Sequence, residues 1–179
     1  DGLTHLIQVS AVRFQDGQES AAFDSYVYTT APLKSFINGL TGITAETLKD
    51  APKVEQVLKD FQAFVGKSPI VGYNAAKSDL PILLEHGLDY RDQYKVDLYD
   101  EAFERRSSDL HGIANLKLQT VANFLGFKGQ SHNSLEDARM TARVYEAFLE
   151  SDEGKLLLKE QSNLSMNPFG GLDLSQFLD

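Results

Sequence analysis

Apolar and polar residues alternate near the start of the chain and recur every three to four residues later, which separates strands from helices. His5–Phe14 is β-branched and partly alternating, as a strand requires. Gln15-Asp16-Gly17-Gln18 supplies a hairpin turn, with a glycine suited to positive φ. The return strand runs over Ala21–Thr29, with Phe23, Ser25 and Val27 on one face and Asp24, Tyr26 and Tyr28 on the other; Pro32 ends it. After the turn Leu40-Thr41-Gly42-Ile43-Thr44, Thr44 can cap a short helix through Leu48.

Pro52 opens a stronger helix, in which Val54, Val57, Leu58, Phe61, Phe64 and Val65 form an apolar stripe and Gly66 is the stop. Pro69–Tyr73 reads as a short buried strand. It leads into a loop and then a helix stopped near Gly87, with Ser78 or Asp79 as cap and Pro81 tolerated in the first turn. Lys95–Tyr99 reads as another strand, Asp100–Arg106 as a helix and Ser107–Asn115 as a loop. Leu116–Leu125 carries Leu118, Val121, Ala122 and Leu125 at helical spacing. The last long helix starts after Ser134, runs to about Glu150 and resumes over Lys155–Gln161; a tail follows from 162 to 179. A hairpin followed by alternating strands and helices predicts an α/β domain with a mixed sheet flanked by helices.

Composition narrows the class. The chain has 179 residues, 42% hydrophobic and 24% charged, which fits one globular domain over 1–150 and a C-terminal extension over 151–179. No apolar run approaches membrane-spanning length, so no membrane association is expected. With no cysteine there are no disulfides or thiolate metal sites, and a cytoplasmic setting is expected. A net charge of −9 argues against a coat that binds nucleic acid over its whole surface. It leaves room for an enzyme that holds a strand end through metal ions.

The candidate chemistry gathers around His132-Asn133-Ser134-Leu135-Glu136-Asp137. Ser134 reads as an N-cap with Asp137 in the first helical turn. Asp137, Thr141, Val144 and Phe148 then share one stripe, so the carboxylate points towards the packed side, where an unpaired charge is costly. Such a carboxylate caps its own helix or holds a cation. Asp79 after Ser78 has the same two readings. Asp97 is either a group supporting the site or solvent-facing, and Arg105 and Arg106 read as a solvated helix end. His5, His86 and His111 show no metal spacing and read as structural.

Taken together, these stretches resemble the DEDDh branch of the DnaQ-like 3′–5′ exonucleases, which includes the proofreading epsilon subunit of bacterial DNA polymerase III and has a ribonuclease-H-like fold. The likeness covers about residues 5–150. His132-x4-Asp137 matches the family's His-x-Ala-x-x-Asp, with Ser134 in place of Ala. Tyr73-Asn74-Ala75-Ala76-Lys77-Ser78-Asp79 corresponds to His-Asn-x-x-Phe-Asp, with one extra residue, Tyr for His and Ser for Phe. The family's first motif, Asp-x-Glu on a central strand, is missing. Asp1 has no Glu at the right offset. The first residue is Asp rather than Met, so the native protein is expected to carry that strand upstream; a partner strand or a diverged fold are the alternatives.

The resemblance implies two Mg²⁺ or Mn²⁺ ions on Asp137 and Asp79, with Asp137 on the ion that carries the attacking water. His132 would be the general base. Thr41, Gly42, Tyr73 and Asn74 would line the terminal nucleotide pocket, with His132 at its mouth. The implied activity is removal of nucleoside monophosphates from DNA 3′ ends, single-stranded DNA being favoured, in replication or repair. An RNA-trimming relative of the same fold and a non-catalytic docking module remain as rivals. Gln161-Ser162-Asn163-Leu164-Ser165-Met166 is similar to the peptide with which bacterial replication proteins dock on the sliding clamp.

Overall fold

The computed structural model describes residues 5–129 and 133–152. Strand β1 (Gln8–Gln15) and strand β2 (Gln18–Tyr26) form an antiparallel hairpin. Its two-residue loop has Asp16 at φ 52° and Gly17 at φ 76°, the left-handed pair whose twist matches that of the flanking strands. The alternation in β2 holds: Phe23 turns inward against Phe61 (ring centroids 5.6 Å apart), while Asp24 and Tyr26 face solvent. Helix α1 (Ser35–Thr41), which the sequence pattern did not predict, buries none of its residues. Helix α2 (Ala45–Leu48) starts at Thr44 in a reciprocal capping box with Thr47. Helix α3 (Val54–Val65) begins two residues after Pro52 and buries Val57, Leu58 and Phe61, as its stripe predicts.

Strand β3 (Ile70–Gly72) and strand β4 (Lys95–Asp97) pair in parallel, Ile70 with Lys95 and Gly72 with Asp97. Between them lies helix α4 (Asp79–Glu85). Helix α5 (Leu98–Glu104) follows β4 directly and runs into a 3₁₀ turn at Arg105–Ser107. It therefore takes over Leu98 and Tyr99, which read as strand from sequence. Helix α6 (Leu118–Phe124) and helix α7 (Ser134–Ser151) complete the described elements.

Both strand senses of a mixed sheet are present, but among the described residues they form two separate two-stranded sheets. For the same reason β3 is only half-buried rather than buried, since β4 alone pairs with it.

Two hydrophobic cores follow. One joins Val9 of β1 to Val57, Leu58 and Phe61 of α3 and to Leu83 of α4. The other joins Val96, Leu98, Ala102 and Val121 to Val144 and Phe148 of α7. Helix α7 packs on β1, β3, α5 and α6, so it bridges both half-sheets. Phe148 is 1% exposed, a burial that favours the folded state by about 1.5–3 kcal/mol.

Arg105 departs from expectation. It is buried, lies over the Phe148 ring at 4.4 Å, and pairs with Glu101 at 3.1 Å and with Asp152 beyond the end of α7. Three carboxylates, counting Asp109 at 3.6 Å, compensate its lost hydration, so it is a structural tie rather than a solvated helix end. Arg106 stacks on Phe103 at 3.6 Å and remains exposed.

Candidate active site

The best-defined part of the site is the loop from β3 to α4. Gly72 ends the strand where a side chain has no room: a Cβ there would lie 2.5 Å from the Cβ of buried Ala75. Asn74 then takes a left-handed conformation, φ 56°, which asparagine tolerates better than most residues. Asp97, at the end of β4, holds that turn. Its Oδ1 accepts from the Asn74 N–H at 2.7 Å and the Tyr99 N–H at 3.0 Å, and its Oδ2 from the Ala76 N–H at 3.4 Å. The last of these is a long bond. One carboxylate therefore caps α5 and clamps the neighbouring loop.

The loop delivers Asp79 as the first residue of α4. Ser78 precedes it but does not cap the helix, because its hydroxyl donates instead to the Asn74 carbonyl at 2.8 Å. Among the described residues the Asp79 side chain has no hydrogen bond and no ion pair. By surface area Asp79 is open to solvent, yet its inner side is packed. Partial desolvation, reinforced by the negative charge of Asp97, lifts its carboxyl above the usual range. Protein on one side and water on the other account for both observations.

Asp137 arrives by another route. The cap of α7 is Asn133 rather than Ser134; its side-chain oxygen accepts from the Leu135 and Glu136 N–H groups at 3.1 and 3.2 Å. Asp137 is half-buried in the first turns, and Thr141 donates to its carbonyl at 2.8 Å. Arg139 anchors this end of α7 to the hairpin, bonding Glu19 of β2 at 3.1 Å and Glu136 at 2.7 Å.

Tyr73 and Asn74 line one cleft of about 380 Å³ together with Tyr99, Leu116, Lys117 and Leu118. The Tyr73 hydroxyl donates to the Leu116 carbonyl, and its half-buried ring packs beside the core around Val96 and Val144. Burial first, then Tyr99 and Asp97, push its pKa far up, so it stays a neutral donor. Thr41 and Gly42 form the turn between α1 and α2. The Thr41 hydroxyl donates to the Ile37 carbonyl and accepts from the Ile43 N–H. His132 and the Gln161–Met166 peptide lie outside the described residues.

The fit to a divalent metal is partial. Asp79 and Asp137 offer the hard oxygen donors such ions take, and the unpartnered Asp79 charge, repelled by Asp97, favours a cation. Among the described residues, however, no three acidic or histidine side chains come together as a ligand set. The supporting role of Asp97 was left open by the sequence, although a carboxylate just ahead of a helical run is itself a cap signal.

Comparison with known proteins gives the family. The RNase T family model, described as an exonuclease, matches residues 2–145. A DNA polymerase III PolC-type protein of Caldanaerobacter subterraneus subsp. tengcongensis is 30% identical over 146 residues, 81% of this chain and 10% of that protein. The chain thus spans about a tenth of the length of such PolC-type relatives. The DNA polymerase III epsilon subunit of Aquifex aeolicus is 28% identical over 82% of this chain and 73% of its own length. Among solved structures, the nuclease domain of 3′hExo, a DEDDh family member bound to rAMP, aligns with a TM-score of 0.61 at 18% identity, covering 84% of this chain and 96% of that one. Its fold is therefore shared, and with the family match over most of the length, this chain belongs to the RNase T exonuclease family, within the DEDDh, DnaQ-like superfamily.

Proposed function

We propose that this chain is the exonuclease domain, over 1–150, of a replicative or repair enzyme, removing nucleoside monophosphates from DNA 3′ ends in the cytoplasm. The observation that carries the reading is the Asp79 carboxylate: unpaired, lifted in pKa by partial burial and then by Asp97, and held at the start of α4 by a clamped loop. The likeness to the Aquifex aeolicus epsilon subunit over most of both chains supports DNA as substrate.

Asp79 and Asp137 would hold Mg²⁺ or Mn²⁺, which when bound stabilises the charge developing on the phosphodiester and eases deprotonation of water. The chain's own groups do the rest. Asn74 orients the terminal nucleotide beside Asp79, and the Tyr73 ring walls the pocket. His132 takes the proton of the attacking water at its imidazole nitrogen. Thr41 and Gly42 contact the terminal nucleotide from the α1–α2 turn. The peptide Gln161–Met166 docks on a sliding clamp.

The test is release of labelled monophosphate from the 3′ end of single-stranded DNA by the full chain, with Mn²⁺ or with EDTA. Metal-dependent release that Asp79→Ala abolishes supports the reading; release unchanged by that substitution overturns the site. One observation favours a second reading, a non-catalytic docking module: the lack, among the described residues, of a three-ligand acidic group. A folded chain that neither releases nucleotide nor gains thermal stability with Mn²⁺ favours that module.

A further inference from the structure

We infer that the cleft between Tyr73 and Lys117 is a second nucleic-acid subsite, which seats a nucleotide of the single strand inward from its 3′ end. The inference rests on the nucleic-acid reading above and extends it to residues that no family motif brought forward: Tyr99, Lys117 and the Leu116–Leu118 wall.

The cleft is built from the parts a single strand needs. The Tyr73 and Tyr99 rings meet edge to face, centroids 6.2 Å apart at 86°. The Tyr73 ring is held by its bond to the Leu116 carbonyl, and the Tyr99 backbone by the cap that Asp97 places on its N–H. Half-exposed rings held in place offer a face for a base at little entropic cost. The volume of about 380 Å³ lies within the range of about 300–1,000 Å³ usual for small-molecule sites, enough for one nucleotide.

The polar groups around it are idle. The exposed Lys117 side chain and the Asn74 side-chain amide make no hydrogen bond or ion pair among the described residues, while both backbones are pinned, by Asn115 and Asp97 respectively. In a chain of net charge −9 a free ammonium beside two aromatic rings is the local attraction that a phosphate requires. Tyr73 and Asn74 belong to both places: they line the near end of the cleft and their loop leads to Asp79, so a strand whose end lies at Asp79 continues past them towards Tyr99 and Lys117.

The experiment measures anisotropy of a 5′-labelled oligothymidylate with the full chain in EDTA, across a salt series. Lys117→Ala should weaken binding severalfold and reduce the slope of log Kd against log salt by about 0.7, while Lys117→Arg retains both. Tyr99→Ala should weaken binding about fivefold or more, and Tyr99→Phe should not. Unchanged Kd and slope in Lys117→Ala, whose side chain is exposed and whose fold is not at risk, overturn the subsite. So does a wild-type chain that binds no oligothymidylate. The nitrophenyl ester of thymidine 5′-monophosphate, which carries no second nucleotide to seat against Tyr99 and Lys117, tests the catalytic reading separately. Ester hydrolysis with strand binding indifferent to Lys117 refutes the cleft alone. An inert chain with Lys117-dependent strand binding refutes the catalysis and keeps the cleft.

Discussion

Asp79 and Asp137 are the two carboxylates that the DEDDh likeness selects, and the structure presents them in opposite ways. Asp79 sits on a loop whose shape depends on hydrogen bonds from one distant carboxylate and on the missing side chain of Gly72. Asp137 sits on an 18-residue helix whose place is set by burial of Met140, Val144, Tyr145 and Phe148. A position fixed by a few directed bonds shifts when one is cut. A position fixed by packing on a long helix tolerates local change but is lost when the core is hollowed. The two sides of the proposed site should therefore fail differently.

The largest effect sharpens that contrast least: Asp79→Ala and Asp137→Ala should each lower monophosphate release by about a thousandfold. If either keeps near-normal release, that residue is outside the site and the comparison breaks. Phe148→Ala separates the two sides. It should lower the free energy of unfolding by about 3–5 kcal/mol in a urea titration, since a fully buried ring leaves a cavity. Asp97→Ala is its counterpart on the loop side. Release should fall about 10–100-fold, as when a group orienting a metal ligand is removed, with a much smaller stability change than Phe148→Ala causes. Asn133→Ala should cost about 1 kcal/mol by removing the cap of α7, read as a lower urea midpoint at unchanged slope.

The smallest prediction concerns pH. Folding raises the Asp79 pKa, so the folded state binds the proton more tightly than the unfolded chain. The strain on its charged form is present above the raised pKa and relieved as pH falls to the unfolded value. Asp79→Asn should thus melt slightly above wild type at neutral pH, and the difference should vanish in acid below the ordinary aspartate range. A variant that melts below wild type at neutral pH would show that the Asp79 charge is already compensated.

These differences also explain what the sequence made legible. Helix α3 and helix α7 were readable because each buries a stripe at helical spacing, and the hairpin because its turn requires Asp16-Gly17. Helix α1 was not: Gly39 interrupts it, it buries nothing, and Phe36 and Leu40 stay 56% and 48% exposed. The cap of α7 was misplaced by one residue because Asn133 and Ser134 are both good caps, and only geometry shows which oxygen meets the free N–H groups. Arg105 looked solvated because its partner Asp152 lies far along the chain. The Asp97 clamp was hidden for the same reason, its amide partner being 23 residues away. Short range was legible; long-range pairing was not.

Gly72 gives the molecule a fixed point in sequence space. Its backbone is ordinary, so any residue could adopt its angles, but the Ala75 Cβ already occupies the volume a side chain would need. Gly42 is the reverse, with open space around it and φ 72°, a conformation that asparagine also visits. In a library diversified at every position and selected for activity, position 42 should come back as glycine or asparagine. Position 72 should come back as glycine alone unless Ala75 has changed with it, so the two sites would be seen to drift as a pair.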